Sequence, residues 1–298
     1  MTDHGLGRIG VWTFAFDGHP ASEVREAAAE IEELGYGTLW FGEAFGRDSV
    51  SQSWLLLSAT RRMTVAAGIA NIALRDPISM AAAERAINEA YPGRYVLGLG
   101  GHRISDEPIK MDGYSIPSKG RAVASMSAYL DAMDAIPLVS AASPYPPRRV
   151  LAALGPKMLA VAAGRTLGAH PYFVPVEHTA RAREAMGPDA LLAVEQAVVL
   201  DTNVSRAREV AREHVGFYAA AAPHQIASLR RLGYGEDEIS QVGDRLVDAI
   251  VAYGDMAAIE KRVREHVDAG ADHVCLQVLT ARPGEMPRAE WRELAALS

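Results

Sequence analysis

The chain has 298 residues, 49% hydrophobic and 22% charged, enough to bury one large core. Its formal net charge of −7 excludes a general nucleic-acid binder, which needs a basic face, and leaves any anionic ligand to local donors. Cys275 is the single cysteine, so neither an intramolecular disulfide nor a thiolate metal cluster can form.

The residues alternate between short β-like runs and amphipathic helical stretches, the pattern of a parallel sheet with crossover helices. Ile9 to Phe16 reads as the first strand. Ser22 then caps a helix whose Val24, Ala28, Ile31 and Leu34 share one face, with Gly35 as its stop. Thr38 to Phe41 and Thr64 to Ile69 are the second and third strands, and a helix starts at Pro77, a favoured first helical residue. Tyr95 to Leu99 is the fourth strand, followed by a helix from about Lys119 to Met133 and a Pro-rich stretch, Pro144 to Pro147. Val150 to Leu154 is the fifth strand, and Pro156 opens a short helix. Gly168 to Phe173 and Leu191 to Leu200 are the sixth and seventh. Asp255 caps a late helix closed by Gly270, and His273 to Val278 is the eighth strand.

Eight such runs fit a closed (β/α)8 barrel, an α/β TIM barrel, formed as one domain over residues 1–298. An open doubly wound sheet is the structural alternative. The segment 202–254 is too long for one crossover and reads as a helical insertion between strands seven and eight. In a barrel the chemistry belongs at the C-terminal strand ends. That rule selects Phe16 and Asp17, Gly42 and Glu43, Gly68 to Asn71, Gly100 to Arg103, His170 to Val174, and Gln277.

Some motifs fail on context. Gly5-Leu-Gly-Arg-Ile-Gly10 has the dinucleotide spacing but precedes a strand instead of opening a helix after one. Asn203-Val-Ser205 is a sequon in a chain with no apolar signal core at Met1 to Gly10. No apolar run approaches the roughly 20 residues of a membrane span. The nine histidines lack ligand spacing. The expectation is a cytoplasmic protein with no metal centre, no nucleic-acid partner and no membrane contact.

The mouth segments carry a family resemblance. Leu39-Trp-Phe-Gly-Glu43, Ala67 to Pro77, Arg94 to Gly101, Gly168 to Pro175 with Glu177 to Arg183, and Asp268 to Val278 together resemble the luciferase-like oxidoreductases. The match is to the branch that uses coenzyme F420, and it covers nearly the whole chain. It implies a homodimeric barrel with the cofactor ring at the mouth, hydride transfer to or from a small organic molecule, and a non-proline cis peptide in the third strand. Gly68-Ile69 is the pair that aligns with that peptide.

With the mouth rule, the cofactor seat is expected at Gly68, Ile69, Asn71, Gly100, Gly101, His102, Arg103, His170, Tyr172 and Val174. Gly100, Gly101 and His102 offer backbone N–H groups to a phosphate, Arg103 adds charge, and a helix starting near Pro175 offers its N-terminus. His102 and His170 are imidazoles that can donate to a phosphate or a ring carbonyl, or can satisfy backbone carbonyls only. Tyr172, Trp12 and Trp40 are core or pocket wall, and one of Glu195 and Gln196 faces the barrel interior in a structural network. Glu43 is the leading acid or base, desolvated at the mouth, and His102 the second proton donor. The opposing view is that Glu43 only orders its loop.

Two positions depart from the sugar-phosphate dehydrogenases of the family. Ala44 stands where they have a histidine, and Arg103 lies near the place of their glutamate. Sugar-phosphate oxidation is therefore not carried over, and a reductase is expected. An FMN-dependent monooxygenase and a catalytically silent cofactor-binding barrel are the alternatives.

Overall fold

The computed structural model describes residues 4–101, 122–282 and 284–298, with the backbone also of 109–111 and 114–116. In chain order the first half contains β1 (Ile9–Thr13), α1 (Ala21–Glu33), β2 (Thr38–Phe41), α2 (Ser49–Ala59), β3 (Thr64–Asn71), α3 (Pro77–Ala90) and β4 (Tyr95–Gly100). A small antiparallel pair follows, β5 (Ile109–Met111) with β6 (Tyr114–Ile116). Then come α4 (Ala122–Ala135), β7 (Arg149–Leu151), α5 (Pro156–Arg165), β8 (Gly168–Ala169), α6 (Val176–Met186) and β9 (Leu191–Leu200). The last part holds α7 (Val204–Ala221), α8 (Pro223–Leu232), α9 (Glu236–Ser240), α10 (Asp244–Ile250) and β10 (Val251–Gly254). It ends with α11 (Met256–Asp268), β11 (His273–Val278) and α12 (Arg288–Leu294).

Eight parallel strands close on themselves in the order β1, β2, β3, β4, β7, β8, β9, β11 and back to β1. This is the expected TIM barrel. The insertion also contributes a strand that the sequence did not suggest. β10 pairs with Ala197–Leu200, on the half of β9 beyond the two residues that β8 uses.

The two-residue alternation of each strand sorts its side chains into two cores. Trp12, Trp40, Ala66, Val96, Val150, Ala193 and Cys275 pack inside the barrel. Their neighbours Val11, Leu39, Val65, Leu97, Leu151, Val194 and Val274 pack outward against the helices. A third core joins the insertion to the barrel, where Ala207, Val215, Leu229 and Val247 meet Phe173, Ala197 and Val199.

Element ends differ from expectation for local reasons. α1 starts at Ala21 behind Pro20, with no side-chain cap, so Ser22 lies inside the helix. α2, capped by Asp48, was not legible as a helix: its apolar residues form one run, Trp54 to Leu57, with no clear face. The sixth strand is two residues long. Pro171 has no N–H for a ladder, and Phe173 takes φ 60°, which turns the chain away from the sheet. The cap at Asp255 is as expected, its side chain accepting from Ala258 N at 2.9 Å. Among the described residues no helix is long and apolar enough to cross a membrane.

Candidate active site at the mouth of the barrel

A cavity of about 670 Å³ opens at the C-terminal ends of the strands. That volume lies within the usual range for a small-molecule site. Gly68, Ile69 and Gly100 border it from the barrel, Met126 from α4, Met158 from α5, and Tyr218 and Arg231 from the insertion.

Its floor is built from close fits. The Gly68–Ile69 peptide is cis, and the β3–β4 register shifts between Ala67 and Ala70. The resulting bulge lays Ile69 over β4. A Cβ on Gly100 would come within 2.8 Å of Ile69 Cδ1, and one on Gly98 within 2.0 Å of Ala67 O. Gly100, singled out in the sequence as a phosphate donor, thus makes room for Ile69, and Gly98 makes room for the Ala67 carbonyl.

Gly68 rests on two partners. A Cβ there would meet His170 Nε2 at 2.8 Å and Trp12 Nε1 at 2.9 Å. These two are themselves bonded, Trp12 Nε1 donating to His170 Nε2 at 3.2 Å. An indole N–H only donates, so His170 Nε2 is an acceptor and its proton sits on Nδ1, which donates to Ala193 O at 2.9 Å. Burial holds this imidazole neutral, with its pKa down to about 4. Its ring stacks on Trp40 at 4.3 Å between centroids. A second pair repeats the device below, Trp40 Nε1 donating to His273 Nε2 at 3.0 Å. His170 thus supports the floor with both nitrogens used, and is not free to donate to a ligand.

Tyr172 borders the cavity as pocket wall, with Trp12 at 4.9 Å. Its hydroxyl donates to Gln277 Oε1 at 2.8 Å and accepts from Tyr218 at 2.8 Å. Burial raises the pKa of both phenols, Tyr218 to about 12.

Glu43 is elsewhere. It does not border the cavity. Its oxygens accept from Ser49 N at 2.9 Å, from Asn71 N at 2.8 Å and from both terminal nitrogens of Arg75, Nη1 at 2.7 Å. Arg75 also pairs with Asp48. This knot ties β2, β3 and the start of α2 together, and it leaves Glu43 no proton work at the cavity. Asn71 packs against Gly101, where both a φ of 86° and the nearness of Asn71 Oδ1 to any Cβ call for glycine. Val174 is buried among helix-facing residues, away from the cavity. His102 and Arg103 lie outside the described residues.

At one end of the cavity the described cationic residues come from elements other than those singled out in the sequence. α5, not the helix after Pro175, brings its first residues, Gly155 to Met158, to the cavity. Lys157 stands in that first turn, and Arg231 of α8 comes alongside, donating to Leu154 O at 3.2 Å. Among the described residues neither forms an ion pair. Two cations beside a helix N-terminus are an arrangement able to hold phosphate or carboxylate. Lys157 directly after Gly155-Pro156 at a strand end was the available sequence signal. Nothing local foretold Arg231 or Tyr218, which the insertion folds back to the mouth. The described residues contain no cluster that could hold a metal ion.

Apolar walls, a floor containing Gly68 and Gly100, and a cationic end suit a flat heterocycle with an anionic tail. Comparison with known proteins gives the same class of fold. A family model described as luciferase-like monooxygenase matches residues 7–273. A Mycobacterium tuberculosis protein, provisionally named a coenzyme F420-dependent oxidoreductase, is 24% identical, with 97% of each chain covered. The coenzyme F420-dependent tetrahydromethanopterin reductase of Methanopyrus kandleri superposes with a TM-score of 0.69 at 15% identity over 96% of both chains. A type II Baeyer–Villiger monooxygenase component from Pseudomonas putida, in complex with FMN, gives 0.68 at 13% identity over 98% of this chain and 97% of its own.

Proposed function

We propose that this chain, which belongs to the luciferase-like monooxygenase family across residues 7–273, is an oxidoreductase that holds coenzyme F420 at the mouth of its barrel. In this reading it moves hydride between the deazaflavin and a small organic substrate. The observation that carries the proposal is the cavity itself, an apolar chamber with a glycine floor at one end and Lys157, Arg231 and the α5 N-terminus at the other.

Gly68, Ile69 and Gly100 would lie against the face of the ring. The Trp12–His170 pair fixes that floor from beneath, since both of its polar atoms are already satisfied. Lys157, Arg231 and the first turn of α5 would hold the anionic tail. His102 and Arg103 follow Gly101 in sequence and remain candidates for the same work. Phe14, Met126 and Met158 line the chamber with apolar surface that would displace water around a bound ligand and strengthen its polar contacts. When bound, the deazaflavin supplies two-electron hydride chemistry. Glu43 is assigned the task of setting the Asn71–Gly101 rim.

The test is a titration of the purified protein with F420 and with FMN, followed by cofactor fluorescence. Saturable binding of F420 is expected. Tight FMN binding with oxygen consumption and no affinity for F420 would overturn the proposal.

A further inference from the structure

We propose that Tyr218, carried to the cavity by the inserted helix α7, anchors the oxygen of the substrate, and that the hydrogen-bond chain Tyr218–Tyr172–Gln277 suits it to a small apolar hydroxyl/carbonyl pair. This rests on the reading of the cavity as a redox site and names the class of its substrate.

The argument starts from which polar atoms have work already. Both His170 nitrogens are bonded. Lys157 and Arg231 sit with the helix N-terminus at the cationic end. The two phenols border the chamber, and their bonds have a direction. An amide oxygen only accepts, so Tyr172 must spend its hydrogen on Gln277 Oε1. Tyr218 then spends its own on Tyr172. The chain ends at the Tyr218 oxygen as an acceptor, and a hydroxyl that donates its hydrogen becomes a better acceptor. In this polarity Tyr218 receives a hydrogen bond from a substrate hydroxyl.

A carbonyl needs the reverse, a donor at Tyr218. Turning over the Gln277 amide supplies it, because Nε2 would then donate to Tyr172, Tyr172 to Tyr218, and Tyr218 to the carbonyl. One position thus serves both oxidation states of the substrate, with the hydroxyl form favoured in the polarity observed. Burial raises both phenol pKa values, so they stay protonated and act through hydrogen bonds. Trp12, Phe14, Met126, Leu154 and Met158 give the rest of the molecule apolar contact, while His224 and Gln225 of α8 are further polar side chains on the wall.

The experiment measures cyclohexanol and cyclohexanone binding to the full chain by NMR titration, with and without F420. The wild type is expected to bind both. Tyr218→Phe should weaken both about fivefold, the worth of one neutral hydrogen bond. Tyr172→Phe frees the Tyr218 hydrogen, and Gln277→Met removes the acceptor that orients the chain. Each should raise the ketone-to-alcohol affinity ratio about fivefold on the same basis. Wild-type affinities in Tyr218→Phe, an unchanged ratio in both of the other variants, or no binding of either probe to the wild type would overturn the proposal. F420 titrated in parallel separates the two readings: lost cofactor affinity with the probe pattern intact counts against the cofactor, and the converse against Tyr218.

Discussion

Glu43 and Glu195 are two carboxyl groups at one end of the same barrel, both nearly closed to solvent, in opposite surroundings. Glu43 accepts from two backbone N–H groups and from both terminal nitrogens of Arg75. Glu195, inside the barrel, accepts one bond of 3.0 Å from Phe173 N, and its other oxygen has no partner among the described residues. Burial pushes the Glu195 pKa up to about 8, so it is mostly a neutral acid at pH 7. Burial alone therefore does not decide what a carboxyl group does. A cation with well-placed N–H donors makes one a structural anchor, and a single N–H leaves the other protonated.

The largest effect should come from breaking the anchor. Arg75→Met leaves Glu43 buried against N–H groups with its countercharge gone. Removing one partner of a buried pair costs about 3–5 kcal/mol. Urea unfolding at pH 7 should show a loss of that order. A loss below about 1 kcal/mol, the worth of an exposed pair, would mean that the knot is ordinary surface chemistry.

The same contrast marks how much the sequence could tell. The eight strands were legible because alternation and turn residues are local, and Gly68–Ile69 was legible because the segment resembles a family. What a side chain does was much less so. For Glu43 a raised pKa was weighed against a loop-ordering role, and the bonds match the second, but the partners could not be named in advance: Arg75 lies 32 residues away in the chain, and Ser49 and Asn71 come from two different elements. Glu195 and Gln196 read together as a structural network, and the network belongs to Gln196, which bonds Ala197 O, Ile250 O and His266, while Glu195 has one hydrogen bond. Gly100 read as a phosphate loop because a sequence cannot show Ile69 lying across it. Tyr218 and Arg231 carried no signal, since only the folding of the insertion onto the barrel brings them to the mouth.

A smaller effect tests the neutral acid. The Glu195 pKa is raised in the folded state, so its contribution to stability is fully present below the unfolded value near 4.5 and is lost as pH rises through about 8. Between pH 6 and pH 8 this amounts to about 2 kcal/mol of falling stability. Glu195→Gln keeps the shape and cannot ionise. Stability curves of the two proteins should diverge across that window, with the variant flatter and the wild type losing ground toward high pH. Parallel curves would mean that Glu195 is charged at neutral pH and has a second partner.

The smallest effect extends the comparison to charges that have no partner. Lys157 and Arg231 face the cavity without an ion pair among the described residues, so folding gains little from either. Lys157→Ala should leave the melting temperature unchanged while lowering F420 affinity about tenfold, one charge-assisted contact discounted for its exposure. The loss should shrink as salt is added, because a contact this exposed is screened. If affinity instead stays at the wild-type level in low salt, the cationic end is not where an anionic tail lies. The principle separating anchor from ligand site, that an uncompensated charge at a cavity marks a place for a missing partner, would then fail here.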